Sequence, residues 1–287
     1  MSEQSLKIFK IGGDIVDDEQ KLHEFLDQFA AIHSPKILIH GGGKVASKML
    51  RDLGMQPNMI GGRRITNQST LDIITGVYAG QVNKKIVSKL QQRNLDALGL
   101  CGADGGTIKS TKRPIQGGVN YGFVGDIEKV STTKINRLLN SGFTPVFCAI
   151  SFSMEHGLLN TNADTVATRI AAAFSKENYH TRVELFYAFS YPGVMMDLEN
   201  SKSIIPRLDR DLFSKGLQQG WIHEGMIPKL ENALYATEHA VSKVTIGSWN
   251  DLLSNARGTE IVRNISLEDK TCFSSKPDMN KSSSYNL

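Results

Sequence analysis

Cysteine is scarce in this 287-residue chain: three residues, Cys101, Cys148 and Cys272, widely spaced and with no CxxC pair. That argues against a disulfide framework and against a cysteine-built zinc site. Cys101 and Cys148 fall in apolar, strand-like runs and read as buried thiols. Long apolar runs are missing as well, so no segment reaches membrane-spanning length, and Met1–Lys7 lacks the apolar stretch of a secretory leader. Charge of one sign is not in excess: 33 Lys and Arg against 29 Asp and Glu leave a formal +4, interspersed along the chain. Nothing there forms a basic face for nucleic acid. No glycine turn spells G-x-G-x-x-G, which weighs against a dinucleotide-binding oxidoreductase. No internal repeat is visible. These absences lead us to expect a reduced, cytoplasmic protein with small-molecule partners and neither nucleic acid nor membrane among them.

What is present begins with Leu6–Ile11, an apolar, β-prone strand that empties into Lys10-Ile11-Gly12-Gly13. Consecutive N–H groups of a glycine turn form an anion-binding concavity, and Lys10 adds a full positive charge. Taken alone, Lys-x-Gly-Gly is also an ordinary strand-to-helix turn. Residues 18–33 follow with Leu22, Phe25, Leu26, Phe29 and Ile32 at helical spacing, then the short strand Lys36–His40 and the turn Gly41-Gly42-Gly43. A second helix places Val45, Met49, Leu50 and Leu53 on one side. Strand, helix, strand, helix predicts a parallel sheet flanked by helices, an α/β fold. Ligands sit beyond the carboxyl ends of such strands, where both glycine turns fall.

Further on, residues 56–66 are rich in Gly and Arg and predict a hairpin or lid, with Arg64 a candidate carboxylate clamp or a plain surface arginine. Asn67 can cap a long helix, 68–92, whose stripe of Leu71, Ile74, Val77, Tyr78 and Val82 suits a dimer interface or core packing. A strand at 97–101, a glycine-rich excursion at 107–130, a helix at 132–141 and a strand at 144–150 complete an N-terminal half, 1–150. In the second half, 151–263, Asn160-Thr161-Asn162-Ala163-Asp164 leads into a helix at 163–175 and puts Asp164 in its first turn, as a cap region or a functional site. A strand at 183–189 ends in Ser190-Tyr191-Pro192-Gly193. A helix at 209–219 precedes Gly225-Met226-Ile227-Pro228-Lys229 and a helix at 229–240. Lys229 then faces the like-signed end of a helix dipole, which makes sense if an anion lies between them. Strand 242–247, helix 248–255 and strand 258–262 close the fold, and the polar, aperiodic 264–287 reads as a disordered tail.

In this order the chain resembles the acetylglutamate kinase family, within the wider amino-acid kinase fold. The resemblance spans 6–263 and rests on Lys10-x-Gly-Gly, Ile39-His40-Gly41-Gly42-Gly43, Gly62-x-Arg64-Ile65-Thr66, Asn160-x-Asn162-Ala163-Asp164 and Gly225-Met226-Ile227-Pro228-Lys229. It implies a three-layer α/β/α sandwich with a mostly parallel central sheet, an N-terminal lobe for the amino acid and a C-terminal lobe for ATP. It implies transfer of the γ-phosphoryl of ATP, brought with Mg²⁺, to the side-chain carboxylate of an N-acylated glutamate in arginine biosynthesis. By the resemblance Lys10 and Lys229 stabilise the migrating phosphoryl group and Asp164 holds both lysines. Gly42, Gly43, Arg64 and Asn160 would bind the acyl-glutamate. Gly12, Gly13, Ser190, Gly193 and Lys229 would contact ATP, and no protein-only metal cage is expected. Phosphoryl transfer is mainly positioning and charge stabilisation, and a carboxylate nucleophile needs no general base.

Two departures stand out. The family usually carries Thr/Ser-Asp-Val-x-Gly after the strand that ends here in Phe189-Ser190-Tyr191-Pro192-Gly193, so an acidic residue is missing at the nucleotide loop. Few residues precede the first strand, whereas arginine-inhibited members carry an extra N-terminal helix, so we expect a homodimer that arginine does not regulate. The acyl group stays open between acetyl and succinyl. Two rival readings are a kinase of the same fold with another acceptor and a non-catalytic ligand-binding paralogue.

Overall fold

The first strand, β1 (Ser5–Ile11), is buried along both faces, as a central parallel strand must be. The computed structural model describes residues 5–177, 179–180, 182–200, 203–223, 225–251 and 258–264. After β1 come α1 (Gly13–Val16) and α2 (Glu19–Ala30), the latter started by Asp18, whose carboxylate accepts from the N–H groups of Gln20 and Lys21. Strand β2 (Lys36–His40) is wholly buried and runs through the glycine turn into α3 (Gly43–Asp52). A two-residue hairpin follows, β3 (Met59–Ile60) and β4 (Arg63–Arg64). Next are α4 (Gln68–Thr75), capped by Asn67, a π-helical stretch at Gly76–Val82, and α5 (Asn83–Gln91). The chain continues through β5 (Ala97–Leu100), β6 (Ile108–Lys112), β7 (Gly125–Val130), α6 (Thr132–Asn140), β8 (Thr144–Cys148), β9 (Ile150–Ser153), β10 (Gly157–Asn160) and α7 (Ala163–Phe174). It ends with β11 (Arg182–Phe189), β12 (Arg207–Leu208), α8 (Arg210–Gln219), α9 (Ile227–Glu238), β13 (Lys243–Ser248) and β14 (Thr259–Ile261).

Eight strands form the main sheet in the order β12-β14-β13-β11-β1-β2-β8-β5. Every neighbouring pair is parallel except β13 and β14. Helix α7 packs on β1, β2 and β11 and against α9, while α5 packs on β5 and β8 and against α2. This is the α/β/α layering that the alternating pattern predicts. From β1 the chain builds outward in one direction through β2 and in the other through β11. The carboxyl end of β1 is therefore a topological switch point, the position where such sheets open a crevice.

The expected elements are present with four differences. The helix expected over 68–92 slips into π geometry at a run holding Gly76 and Gly80, and its stripe of Leu71, Ile74, Val77, Tyr78 and Val82 is spent in the chain's own core. Leu53, assigned to the apolar side of α3, is 59% exposed at its C-cap, and Ala46 and Leu50 bury that side instead. The strand expected over 144–150 breaks at Ala149, and β9 leaves for a second sheet, β10-β9-β6-β7. That sheet gathers the glycine-rich excursion with residues on both sides of position 150. Of the helix expected over 248–255, the described residues form only a 3₁₀ turn at Trp249–Asp251. Residues 252–257, and the tail from 265 with Cys272, lie outside the described residues. Among the described residues, no helix is long and apolar enough to cross a membrane.

His40, the last residue of β2, is fully buried. The amide of Asn83 donates to its Nε2 at 3.0 Å and also to the carbonyl of Val146 at 2.9 Å. Nε2 is thus the acceptor, and Nδ1–H donates to the carbonyl of Gly41 at 2.7 Å. Burial pushes the imidazole pKa down to about 4, so the ring is neutral and ties the glycine turn to the π-containing helix. A histidine kept neutral by folding stabilises the protein above its unfolded pKa and loses that stabilisation as pH falls. Unfolding free energy should fall by about 2 kcal/mol between pH 6.5 and 5, before most carboxylates titrate. His40→Gln should flatten that slope in denaturant titrations across the range; an equal slope in the variant would remove His40 as its source.

Candidate active site

Lys10 is 6% exposed at the carboxyl end of β1. A lysine so buried needs a partner, and its Nζ lies 2.7 Å from Oδ1 of Asp164. Asp164 is placed by α7, whose first turn is fixed by Asn162: its side-chain oxygen accepts from the N–H groups of Asp164 at 2.7 Å and Thr165 at 3.2 Å. Lys229 sits in the first turn of α9, after Pro228. Burial lowers its pKa, the charge of Asp164 opposes that shift, Lys10 adds to it, and Asp14 opposes it again. Asp164 therefore touches Lys10 and reaches Lys229 only through its field; among the described residues Lys229 has no ion-pair partner. The pair of lysines carries more positive charge than Asp164 neutralises, which suits an incoming anion.

Six of the expected residues, Lys10, Gly42, Gly43, Arg64, Asn160 and Asp164, line one cavity of about 190 Å³. Arg64 is 5% exposed. Its Nη2 donates to the carbonyl of Gly43 at 3.1 Å and to Oγ of Ser47 at 2.8 Å. Its Nε and Nη1 are buried without a well-aligned hydrogen-bond partner, and among the described residues the one polar side chain that interacts with the guanidinium across the cavity is the hydroxyl of Tyr78. Unspent guanidinium donors are costly, and a carboxylate in the cavity would satisfy them. Asn160 donates to Oγ1 of Thr66 at 3.0 Å, and Thr66 donates to the carbonyl of Arg64 at 2.9 Å. This chain locks the hairpin to β10. Gly42 is required for room: a Cβ there would lie 2.9 Å from the ring of Tyr78.

Gly12, Gly13, Ser190, Gly193 and Lys229 are not among the residues lining that cavity. Gly12 and Gly13 form the turn beside Lys10, and a Cβ on Gly12 would fall 2.5 Å from Oδ1 of Asp14. Asp14 in turn accepts a 2.8 Å hydrogen bond from Oγ of Ser190, joining the Gly12–Gly13 turn to the loop after β11. Gly193 is buried against Thr259 and Ile204, where a Cβ would come within 2.9 Å of Oγ1 of Thr259. It shapes the loop by close packing. Sequence reasoning passed over Asp14, Ser47, Thr66, Tyr78 and the His40–Asn83 pair. Asp14 could have been found as the residue that directly follows the glycine turn; Tyr78 carried no signal beyond its apolar stripe.

Residues 5–248 match the amino acid kinase family. The chain belongs to that family of phosphotransferase folds. Over 266 residues it is 42% identical to an acetylglutamate kinase of Cytophaga hutchinsonii, covering 91% of this chain and 100% of that one. It is 43% identical over 258 residues to an acetylglutamate kinase of Bacteroides thetaiotaomicron, covering 90% and 98%. Among solved structures, smu.665 of Streptococcus mutans UA159 superposes with a TM-score of 0.75 at 24% identity, covering 90% of this chain and 99% of that one, a likeness of fold. Within the amino acid kinases, this chain falls in the acetylglutamate kinase family.

Ser190, at the start of the loop after β11, is hydrogen-bonded to Asp14, which directly follows the glycine turn. Asp14→Ala and Ser190→Ala should each raise the ATP KM about fivefold, the worth of one hydrogen bond of ordinary strength. The double variant should be no worse than either single one, because both remove the same contact. Multiplying effects in steady-state kinetics would show that the two residues act independently.

Proposed function

We propose that this protein transfers the γ-phosphoryl group of ATP to the side-chain carboxylate of N-acetyl-L-glutamate, forming an acyl phosphate and ADP. The observation that carries this reading is the unspent guanidinium of Arg64 in the same cavity as the Lys10–Asp164 pair. One end of that cavity is built for a carboxylate that is held. The other is built for an anion that reacts. The N–H groups of Gly42 and Gly43, at the start of α3, help seat the reacting carboxylate, and Asn160 lies beside the acylated amine.

In the step itself a carboxylate oxygen forms a bond to the γ-phosphorus while the bond from that phosphorus to the β-bridging oxygen breaks. The electron pair leaves with ADP, and no proton has to move. Attacker and phosphate are both anions, so the protein's contribution is to hold like charges in line and neutralise them. Lys10 approaches from β1 and Lys229 from α9. Asp164 holds Lys10 in place through their 2.7 Å ion pair. ATP enters with Mg²⁺ on its phosphates, along the Gly12–Gly13 turn and the Ser190–Gly193 loop. The likeness to acetylglutamate kinases supports a role for this reaction in arginine biosynthesis.

Hydroxylamine trapping of acyl phosphate, with purified protein, MgATP and N-acetyl-L-glutamate, tests the reading directly. We expect a hydroxamate signal that needs both substrates. Its absence from a folded protein would favour another acceptor or a non-catalytic role. Lys10→Ala and Lys229→Ala should each lower kcat by about 10²–10³ with small changes in KM, because their contacts tighten in the transition state. Arg64→Ala should instead raise the N-acetyl-L-glutamate KM by about 10–100-fold, the cost of a charged hydrogen-bonded clamp. A rise confined to the ATP KM would show that the two sites are transposed.

A further inference from the structure

Tyr187, in β11, is 2% exposed, so its hydroxyl is buried with its ring. A phenylalanine would fill the same space with no polar group to satisfy, and a buried hydroxyl is costly unless it is bonded. Among the described residues its hydrogen-bond partner is Oγ1 of Thr168, itself buried in α7. Thr168 has one proton to give, and the backbone carbonyl of Asp164 accepts it at 2.8 Å. The bond between the two hydroxyls is therefore donated by the phenol, which burial and then the charge of Asp164 keep protonated.

The placement follows from register. Tyr187 on β11 lies directly opposite Lys10 on β1, so the two side chains leave the sheet on one face. Asp164 and Thr168 are four residues apart on α7, so they too share a face. Sheet and helix are thus joined by two rungs, Lys10 to Asp164 and Tyr187 to Thr168. One rung alone would leave α7 free to turn about it; two fix its rotation over the sheet. Oγ1 of Thr168 also lies 3.4 Å from the carbonyl of Asn232 in α9, and the amide of Asn232 donates to the carbonyl of Pro228 at 2.8 Å, next to Lys229. Arg169, the following residue of α7, stacks 4.5 Å over the ring of Tyr235 in α9 and donates to its hydroxyl. The helices that carry Asp164 and Lys229 and the strand beside Lys10 therefore meet at one buried pair of hydroxyls.

We propose that Thr168 and Tyr187 are positioning residues for phosphoryl transfer: their hydroxyl pair sets the turn of α7 on which Asp164 meets Lys10 and the approach of α9 that presents Lys229. This rests on the reading of the site given above. Neither residue is among those lining the cavity of about 190 Å³, so each acts through the residues it holds.

The test is steady-state kinetics of Tyr187→Phe and Thr168→Val, alone and in an Asp164→Asn background, with thermal unfolding of each. Each single variant should lower kcat about tenfold and leave both KM values within twofold, since a shift of about 1 Å at a reacting group costs up to ~100-fold in rate. Thr168→Ser, which keeps the hydroxyl, should restore most of what Thr168→Val loses. In the Asp164→Asn background Tyr187→Phe should change kcat less than twofold, because the residue through which it acts is already gone. A purely structural role would lower Tm and leave kcat unchanged, or would repeat the tenfold loss in that background; either result overturns the proposal. Tyr187→Phe carries the test alone if Thr168→Val fails to fold. Should the wild type form no acyl phosphate, the phosphoryl-transfer reading fails, and the positioning is read from Lys10 itself. The readout is then its acetylation by acetic anhydride relative to exposed Lys48, followed by mass spectrometry. Labelling of Lys10 at least threefold faster in Tyr187→Phe than in wild type keeps the hydroxyl pair as what holds Lys10 to Asp164; equal labelling removes it.

Discussion

A buried ion pair, Lys10 with Asp164, is the constraint that the rest of the site is arranged around. Burying two charges costs several kcal/mol each unless the geometry is good and their remaining hydrogen bonds are satisfied. The fold places the pair at the switch point of the sheet, where Lys10 is the one partner within reach of Oδ1 of Asp164 among the described residues. β1 delivers the lysine there, and α7 delivers the carboxylate in a first turn set by Asn162. The pair is held where β2, β11 and α7 converge, so neither partner can turn away without disturbing the core. Lys229, left outside the pair, keeps its charge for a ligand.

Much of this was legible in the amino-acid order because local chemistry and fold agreed. The strand–helix rhythm marked a parallel sheet, and the two glycine turns at strand ends marked its ligand edge. Arg64 and Asn160 were recognisable because they stood in ordered motifs; a lone buried arginine gives no such sign. What stayed hidden depends on contacts distant in sequence. The π-helical slip at Gly76–Val82 leaves the apolar periodicity almost intact, yet Tyr78 comes to rest against Gly42. Ser190 and Asp14 are 176 positions apart, and only the folded chain brings them together. The break at Ala149 is invisible in a continuous apolar run, because a buried strand that changes sheet keeps the same composition.

Backbone room and side-chain charge are divided between the two ends of the crevice. At the end formed by the Gly41–Gly43 turn, Gly42 leaves room for the ring of Tyr78, and His40 fixes Gly41 through a neutral ring. At the end formed by Lys10, Asp164 and Lys229 the polar groups are charged, and Lys10 is paired with Asp164 across elements. The hairpin bearing Arg63 and Arg64 borders the cavity of the site and an adjoining one of about 270 Å³: Arg64 lines the first, and Arg63 lines the first and the second.

In the proposed mechanism Lys10 and Lys229 recognise the phosphoryl group in flight more strongly than ATP at rest. The most direct measurement is the affinity of MgADP–fluoroaluminate, a mimic of the transferring phosphoryl group, in the presence of N-acetyl-L-glutamate. It should be compared with a non-hydrolysable ATP analogue in wild type and in Asp164→Asn. Loss of about 100-fold for the mimic, with less than threefold for the analogue, is the predicted result, equivalent to about 2.7 kcal/mol of transition-state stabilisation. Equal losses for both ligands would contradict it and would make the Lys10–Asp164 pair a structural feature of ATP binding alone.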